Sequence, residues 1–296
     1  MEWVTSIRTP QLTTFFQYIT WLGYKDFLFL FIPFCFWFFD RKVFGIFTLF
    51  VFISALINTY LKDFFQDPRP DVLLNIDPWA STIDLSYGFP SGHAQLAIVI
   101  WGFLFLNTKN IFLKILFTFL IITISFSRIY LGVHDISDVI GGIIIGLISI
   151  FLLNNLLGNK GAWIRNQSHL MHCLMYLCFF SLFYLAWPLE ENRIVAVTLG
   201  SLIMGFWIGQ IIDGKYFNFE SPKNLLLKIL STILAVFGFI QLNENIDQIL
   251  EMIQLNHTIE TIASSLLLGL YISLIAPFIL SLMRLQIMRK IKSQIT

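Results

Sequence analysis

The chain has 296 residues, 57% hydrophobic and 12% charged, with a mean hydropathy of +0.77. An ordinary soluble domain carries about 25% charged residues, so the composition excludes one. A formal charge of +1 leaves no electrostatic footprint for a nucleic-acid partner.

A helix crossing a bilayer needs about 20 apolar residues. Residues 1–22 mix Thr, Gln and aromatics and read as an interfacial helix lying on the membrane surface. Glu2 and Arg8 precede a broken apolar stretch without a small-residue cleavage site, so no signal peptide is expected. Nine apolar runs follow, at about 23–40, 43–62, 91–107, 111–131, 136–157, 169–188, 193–212, 225–242 and 258–283. The first is the weakest: its strictly apolar part, Phe27 to Phe39, is short, and Lys25 has to snorkel. Pro33 and Pro277 mark expected kinks. Gly142-x₃-Gly146 on the fifth run, widened by Gly141, is a small-residue surface for close helix packing. Cys35, Cys173 and Cys178 lie inside apolar runs and read as small buried residues rather than disulfides.

Three polar motifs interrupt this apolar pattern: Lys62-x₆-Arg69-Pro70, Pro90-Ser91-Gly92-His93 and Ser127-Arg128-x₅-His134-x₃-Asp138. Charged and titratable groups at membrane depth are costly and mark function. Lys62 ends the second run, His93 starts the third, Arg128 and His134 follow the fourth, and Asp138 starts the fifth. Alternating helices therefore bring all of them to one membrane face. His169, His172 and His257 are scattered and read as interfacial or packed; Glu190-Glu191 and the segment around Glu244, Asp247 and Glu251 read as solvated outer loops.

The chemistry of these residue types is that of a phosphate ester. Lys62, Arg69 and Arg128 supply three cations, two of them planar forks matched to phosphate oxygens. Ser91 is expected at a helix N-terminus, where free N–H groups favour an anion, and Gly92 lets backbone approach it. His134 and Asp138, four apart, share a helical face. The carboxylate can hold one imidazole nitrogen and leave the other as a lone-pair donor aimed at phosphorus. His93 can then protonate the leaving oxygen and activate water. The residues alone leave two other readings open, a helix-stabilising His134–Asp138 pair and a metal site on His93, His134 and Asp138; three adjacent cations oppose the metal.

In these motifs the chain resembles the type 2 phosphatidic acid phosphatase (PAP2) superfamily, marked by K-x₆-R-P, P-S-G-H and S-R-x₅-H-x₃-D. The resemblance covers about residues 23–157. It implies His134 as nucleophile, Asp138 as its orienting carboxylate, His93 as acid/base, and Lys62, Arg69, Ser91, Gly92 and Arg128 as phosphate ligands. It also implies chemistry without a metal or other cofactor. Beyond it, about 140 residues with four further runs depart from the common six-span arrangement and carry no catalytic constellation.

The expected fold is thus an all-α polytopic transmembrane helix bundle of about nine spans. An interfacial segment (1–22) precedes a PAP2-like catalytic membrane domain (23–157) and a C-terminal transmembrane extension (158–296), with the seam at Gly158-Asn159-Lys160-Gly161. Thirteen of the 19 basic residues fall on the side away from the motifs: Arg41, Lys42, Lys109, Lys114, Lys160, Arg165, Lys215, Lys223, Lys228, Arg284, Arg289, Lys290 and Lys292. Cytoplasmic loops are rich in Lys and Arg. The C-terminus is therefore expected in the cytoplasm and the motifs on the outer face, in a bacterial inner membrane. The expected partners are membrane lipids and a phosphorylated lipid substrate, an isoprenyl diphosphate or a glycerolipid phosphate such as phosphatidate or phosphatidylglycerophosphate. The expected activity is hydrolysis through a phosphohistidine. Phosphotransfer from the same intermediate and a non-catalytic phospholipid-binding or transport role are the alternatives.

Overall fold

A computed structural model describes residues 2–80, 86–222 and 224–281. Lys223 and the basic C-terminal positions Arg284, Arg289, Lys290 and Lys292 lie outside the described residues. The regular elements among them are all helical: α1 (Glu2–Ser6), α2 (Pro10–Trp21), α3 (Lys25–Phe38), α4 (Arg41–Phe65), α5 (Gly92–Asn107), α6 (Ile111–Tyr130), α7 (Ile136–Leu157), α8 (Ala162–Arg165), α9 (His169–Leu185), α10 (Arg193–Tyr216), α11 (Leu225–Glu251) and α12 (His257–Leu270). Among the described residues, six helices are long and apolar enough to cross a membrane. Two broken pairs, Pro10–Trp21 with Lys25–Phe38 and Asn159–Arg165 with His169–Leu185, raise this to eight, and α5 is a shorter apolar helix. Within the described residues the nine expected runs fall on helices, although not all are long enough to be spans on their own. Exposed Ile115, Ile122, Ile140, Ile144, Leu147 and Phe151 on α6 and α7 are the outward apolar surface that lipid rather than water requires. The protein is an integral membrane protein.

The chain divides into two compact units, Met1–Phe29 with Phe50–Gln167 and Ala186–Asn192, and Leu30–Leu49 with Ser168–Leu185 and Arg193–Thr296. In the first unit α5 packs against α6 and α7, and α2 against α6. The Gly142/Gly146 expectation holds. A Cβ on Gly142 would stand 2.4 Å from the Ser91 carbonyl oxygen, and one on Gly146 would stand 2.7 Å from the Ile98 Cβ, so α5 and α7 approach backbone to backbone. A buried polar ladder joins α4 to α5: Gln95 Nε2 donates to the Ser54 carbonyl and hydroxyl at 2.8 Å each, and Asn58 Nδ2 donates to Gln95 Oε1 at 2.8 Å and to the Pro90 carbonyl at 3.2 Å. Every member is partnered, as a dry interior demands. The N-terminal segment joins this core. Thr9 caps α2 and Pro10 opens it, while Val4 is buried with Ala94, Ile129 and Val139.

In the second unit α10 and α12 cross closely at glycines: a Cβ on Gly205 would stand 2.1 Å from the Leu266 carbonyl oxygen, and one on Gly269 2.2 Å from that of Leu202. A π-helical turn at Tyr271–Ile275 follows α12, next to Pro277. Proline has no N–H, which leaves the Ser273 carbonyl four residues back without its helical partner; Arg41 Nη2 donates to it at 3.0 Å. Arg41 also pairs with buried Asp213 at 2.7 Å. This basic residue is therefore a structural staple as well as part of the charge bias.

Two expectations change. Glu244, Asp247 and Glu251 stand exposed on α11 rather than in a loop; Ile246 and Leu250, buried one turn apart, carry the helix past its apolar stretch. Cys35 is buried, but Cys173 is half-buried and Cys178 exposed. An apolar environment outside the helix bundle suits a small thiol as well as the core does.

Candidate active site

All three motifs converge inside the first unit, around a cavity of about 230 Å³ lined by Tyr24, Lys62, Arg69, Trp79, Ala80, Ser86, Gly92, His93, Arg128 and His134. The helix ends deliver them as expected. Lys62 lies on the last turn of α4, Ser91 is the N-cap of α5, Arg128 is on the last turn of α6, and Asp138 is on the first turn of α7. Between α6 and α7 the chain reverses at Gly132, whose φ is +76°. A side chain there would be strained by that conformation and its Cβ would meet the Leu74 carbonyl oxygen at 2.2 Å. The turn lets both the Val133 and the His134 N–H donate to the Arg128 carbonyl, at 3.1 and 3.2 Å, which fixes His134 next to Arg128.

The two imidazoles differ. His134 is 2% exposed and its Nδ1 meets Asp138 Oδ2 at 2.9 Å. The same oxygen accepts the Asp135 N–H at 3.1 Å, so the carboxylate cannot turn away. Nδ1–H bound to a carboxylate leaves Nε2 with its lone pair free. Burial, and then Lys62, Arg69 and Arg128 in that order, push the pKa of His134 well below that of ordinary histidine. His93 packs edge-on against Tyr24, with ring centroids 4.6 Å apart. It hydrogen-bonds to the backbone of Thr20, and its Nε2 is buried without a partner among the described residues. Both rings thus keep one nitrogen in reserve.

The cations divide their donors between the protein and the cavity. Lys62 Nζ donates to the Tyr87 carbonyl and, at 3.2 Å, to that of Gly88. Arg69 donates through Nε and Nη2 to Ser86, at 2.5 and 3.1 Å, and through Nη1 to the Val133 carbonyl at 3.0 Å. Burial, then the neighbouring Arg128 charge, lower the Arg69 pKa to about 10, which leaves it cationic at neutral pH. Arg128 Nη1 donates to the Thr20 hydroxyl and to Asp77 Oδ2, the latter at 2.7 Å. Its Nε–H is buried without a partner among the described residues, so that side of its fork keeps a donor for a ligand. The Ser91 hydroxyl is likewise buried and unpartnered there. Gly92 has a second reason to be glycine: its Cβ would stand 2.9 Å from Asn58 Oδ1.

The structure therefore gathers every residue that the motifs nominate, and adds others. Thr20 comes from the N-terminal segment, Tyr24 from the turn between α2 and α3, and Asp77 and Trp79 from the loop after Pro70. Asp67 lies beside Asp138, both carboxylates facing the spot where a Cβ on Gly88 would sit. Asp63, buried next to Lys62, accepts from Trp187 Nε1 at 2.8 Å and Asn192 Nδ2 at 3.1 Å. Single acids at helix ends and in loops carry no motif; only the N-x-D-P turn at Asn75–Pro78 hints that Asp77 is held in place. No group of three His, Cys, Asp or Glu side chains is placed to hold a metal among the described residues.

Comparison with known proteins gives this constellation a family. Residues 43–162 match the PAP2 superfamily, and residues 197–290 match the transmembrane extension of PAP2 superfamily phosphatases. Phosphatidylglycerophosphatase B of Bacillus subtilis is 32% identical over 160 residues, 50% of this chain and 76% of that protein. The chain belongs to the PAP2 superfamily. A dihydrosphingosine 1-phosphate phosphatase of Schizosaccharomyces pombe is 28% identical over 239 residues, covering 74% of this chain and 55% of that protein. A crystal structure of a transmembrane PAP2-type phosphatidylglycerolphosphate phosphatase from Bacillus subtilis is 29% identical, with a TM-score of 0.43, covering 57% of this chain and 84% of that one. Much of the C-terminal half, a departure from the six-span arrangement, thus matches a transmembrane extension found in PAP2 superfamily phosphatases.

Proposed function

We propose that this PAP2 superfamily member hydrolyses a lipid phosphomonoester, or the terminal phosphate of a lipid diphosphate, through a phosphohistidine and without a metal ion. The observation that carries the reading is the pair of unlike histidines on one cationic cavity. His134 is aligned by Asp138 with Nε2 free, and His93 keeps an unpartnered Nε2 on a different helix.

In this reading the substrate phosphate enters the cavity and takes up the donors that Lys62, Arg69, Arg128 and Ser91 keep free. His134 Nε2 attacks phosphorus; the Nε2–P bond forms as the bond to the ester oxygen breaks, and His93 gives that oxygen a proton. His93 then takes a proton from water, whose oxygen attacks phosphorus and releases His134. Asp138 holds the imidazole in the reactive tautomer and offsets its positive charge while phosphorus is bound. Neutral His134 is the attacking form, and its lowered pKa keeps it so. Charged residues at helix ends suit a phosphate held at headgroup depth and a substrate whose tail stays in the bilayer. The named relatives favour a phosphatidylglycerophosphate or a long-chain base phosphate over a soluble sugar phosphate. The basic bias away from the motifs supports an outward-facing site in a bacterial inner membrane.

The test is phosphate release by detergent-purified protein in EDTA. The substrates are phosphatidylglycerophosphate, phosphatidate, dihydrosphingosine 1-phosphate, undecaprenyl diphosphate and glucose 6-phosphate. Release from a lipid, abolished in folded His134→Ala, is the expected outcome. Release that survives in His134→Ala, or that needs an added divalent ion, overturns the mechanism. Loss of phosphate from the lipid with none free in solution points to phosphotransfer.

A further inference from the structure

We propose that Asp77, with Thr20, is a positioning residue that clamps Arg128 so that the Nε/Nη2 edge of its guanidinium faces the transferring phosphate. Both side chains are far from Arg128 in sequence, and no motif contains them. Asp77 Oδ2 accepts from Arg128 Nη1 at 2.7 Å and from the Tyr24 hydroxyl at 2.8 Å, and its other oxygen accepts the Trp79 N–H at 3.1 Å. The Asp77 N–H is held in turn by Asn75 Oδ1 at 2.9 Å. The carboxylate is thus fixed on every side before it meets Arg128. Thr20 is 0% and Asp77 6% exposed, and the Arg128–Asp77 pair has side-chain exposures of 3% and 0%.

An arginine has one edge formed by Nη1 and Nη2 and another formed by Nε and Nη2, and either can grip a phosphate or carboxylate in fork geometry. Asp77 and Thr20 take both Nη1 protons, which removes the first edge from use. The second edge keeps its Nε–H unpartnered among the described residues, and Tyr24 closes one face of the group, its ring centroid 5.4 Å from the Arg128 Cζ. Arg69 is built the other way: its Nε and Nη2 are spent on Ser86. One arginine ties loops together and the other is aimed. Asp77 also offsets one of three positive charges crowded on a small cavity, which a dry environment requires before substrate arrives. Its geometry is set by Tyr24 and Trp79, so it need not move when phosphate binds.

The proposal rests on the phosphatase reading, and the test separates the two. Asp77→Asn and Arg128→Ala are made singly and together in the full chain. Each variant is measured for kcat and KM of phosphate release and, by calorimetry, for the Kd of orthovanadate, which needs no turnover. A charged hydrogen bond of this kind sets the expected loss in kcat/KM and in vanadate affinity for Asp77→Asn at about ten- to a hundredfold. In the Arg128→Ala background the same change has less than about a threefold effect, because Asp77 acts through Arg128. Thr20→Val shows the same background dependence with a smaller loss. Full additivity of the two losses overturns the proposal, as do wild-type values for Asp77→Asn or a wild-type protein that binds no vanadate. A chain that binds vanadate yet releases no phosphate refutes the phosphatase reading instead, and the vanadate cycle still decides the role of Asp77.

Discussion

Replacing Asp138 by asparagine isolates the charge behind His134. Asp138 Oδ2 meets His134 Nδ1 at 2.9 Å and the Asp135 N–H at 3.1 Å, and an asparagine carbonyl in that place accepts both bonds. The side chain is 0% exposed, so no water replaces the lost charge. A unit charge on the imidazole 2.9 Å from the carboxylate is worth about 6 kcal/mol at an effective dielectric constant of about 20. The amide dipole recovers part of that, and the difference between a charged and a neutral hydrogen bond sets a floor of about 1 kcal/mol. We expect a loss of about 3–4 kcal/mol, which is about two to three orders of magnitude in kcat. KM should change little, because the phosphate in the ground state contacts the cations rather than Asp138. The assay is rapid quench with radiolabelled phosphate: the acid-labile phosphoenzyme should form more slowly by the same factor. A kcat within about threefold of wild type, in protein that retains its helicity, would refute the reasoning, since no nucleophilic histidine acquiring charge could ignore that substitution.

Other expectations follow from the same geometry. His93→Ala should slow release from an alkyl phosphate by at least about a hundredfold but from p-nitrophenyl phosphate far less, because nitrophenolate leaves without a proton; equal losses would remove His93 from the leaving-group step. Since the His134 pKa is pushed below that of ordinary histidine by burial and then by Lys62, Arg69 and Arg128, the neutral nucleophile persists as pH falls through about 6.5. The acid limb of kcat/KM should therefore move when a phosphorothioate with a lower second ionisation replaces the phosphate; a limb fixed near pH 6.5 with both substrates would contradict the lowered value. Gly23→Ala would place a Cβ 2.3 Å from the His93 ring, an overpacking worth about 1–3 kcal/mol. It should lower both kcat and thermal stability, whereas Gly214→Ala, with nothing within 4 Å of its Cβ, should change neither downward.

The parts of the site that a sequence can show are those tied to helix ends. Lys62, Ser91, Arg128 and Asp138 each sit where an apolar run starts or stops, so hydropathy and motif spacing locate them independently. What stayed hidden is whatever depends on a fold-back. Residues 1–22 look interfacial because Thr and Gln interrupt their apolar residues, yet those polar groups are used inside: Thr20 meets Arg128, and Gln17 Nε2 donates to the Ile76 carbonyl at 3.0 Å. Asp63 and Asp77 read as ordinary loop or helix-end acids, because nothing local tells a solvated carboxylate from one whose partners lie 124 or 51 residues away. The glycines show the same limit. Gly142 and Gly146 announce close packing by their spacing on one helix, whereas Gly205 and Gly269 do so only once α10 and α12 cross.

The cradle is made from groups that also hold the loops together, and this determines which residues can be tested cleanly. Lys62 ties the end of α4 to the Tyr87 and Gly88 carbonyls, just before the second motif, and Arg69 bridges Ser86 to Val133, next to His134. Removing Lys62 leaves the buried Gly88 carbonyl without its donor, a cost of about 1–3 kcal/mol, and removing Arg69 unties Ser86 from Val133; either change also shifts the histidines. Loss of activity at Lys62 or Arg69 cannot by itself distinguish phosphate binding from loop geometry. The histidines are different. Each anchors one nitrogen, and no hydrogen bond holds Nε2 among the described residues, so substitution there subtracts chemistry while the cationic cross-links remain. The catalytic reading is therefore decided at His134 and His93, and the binding reading at the free edge of Arg128.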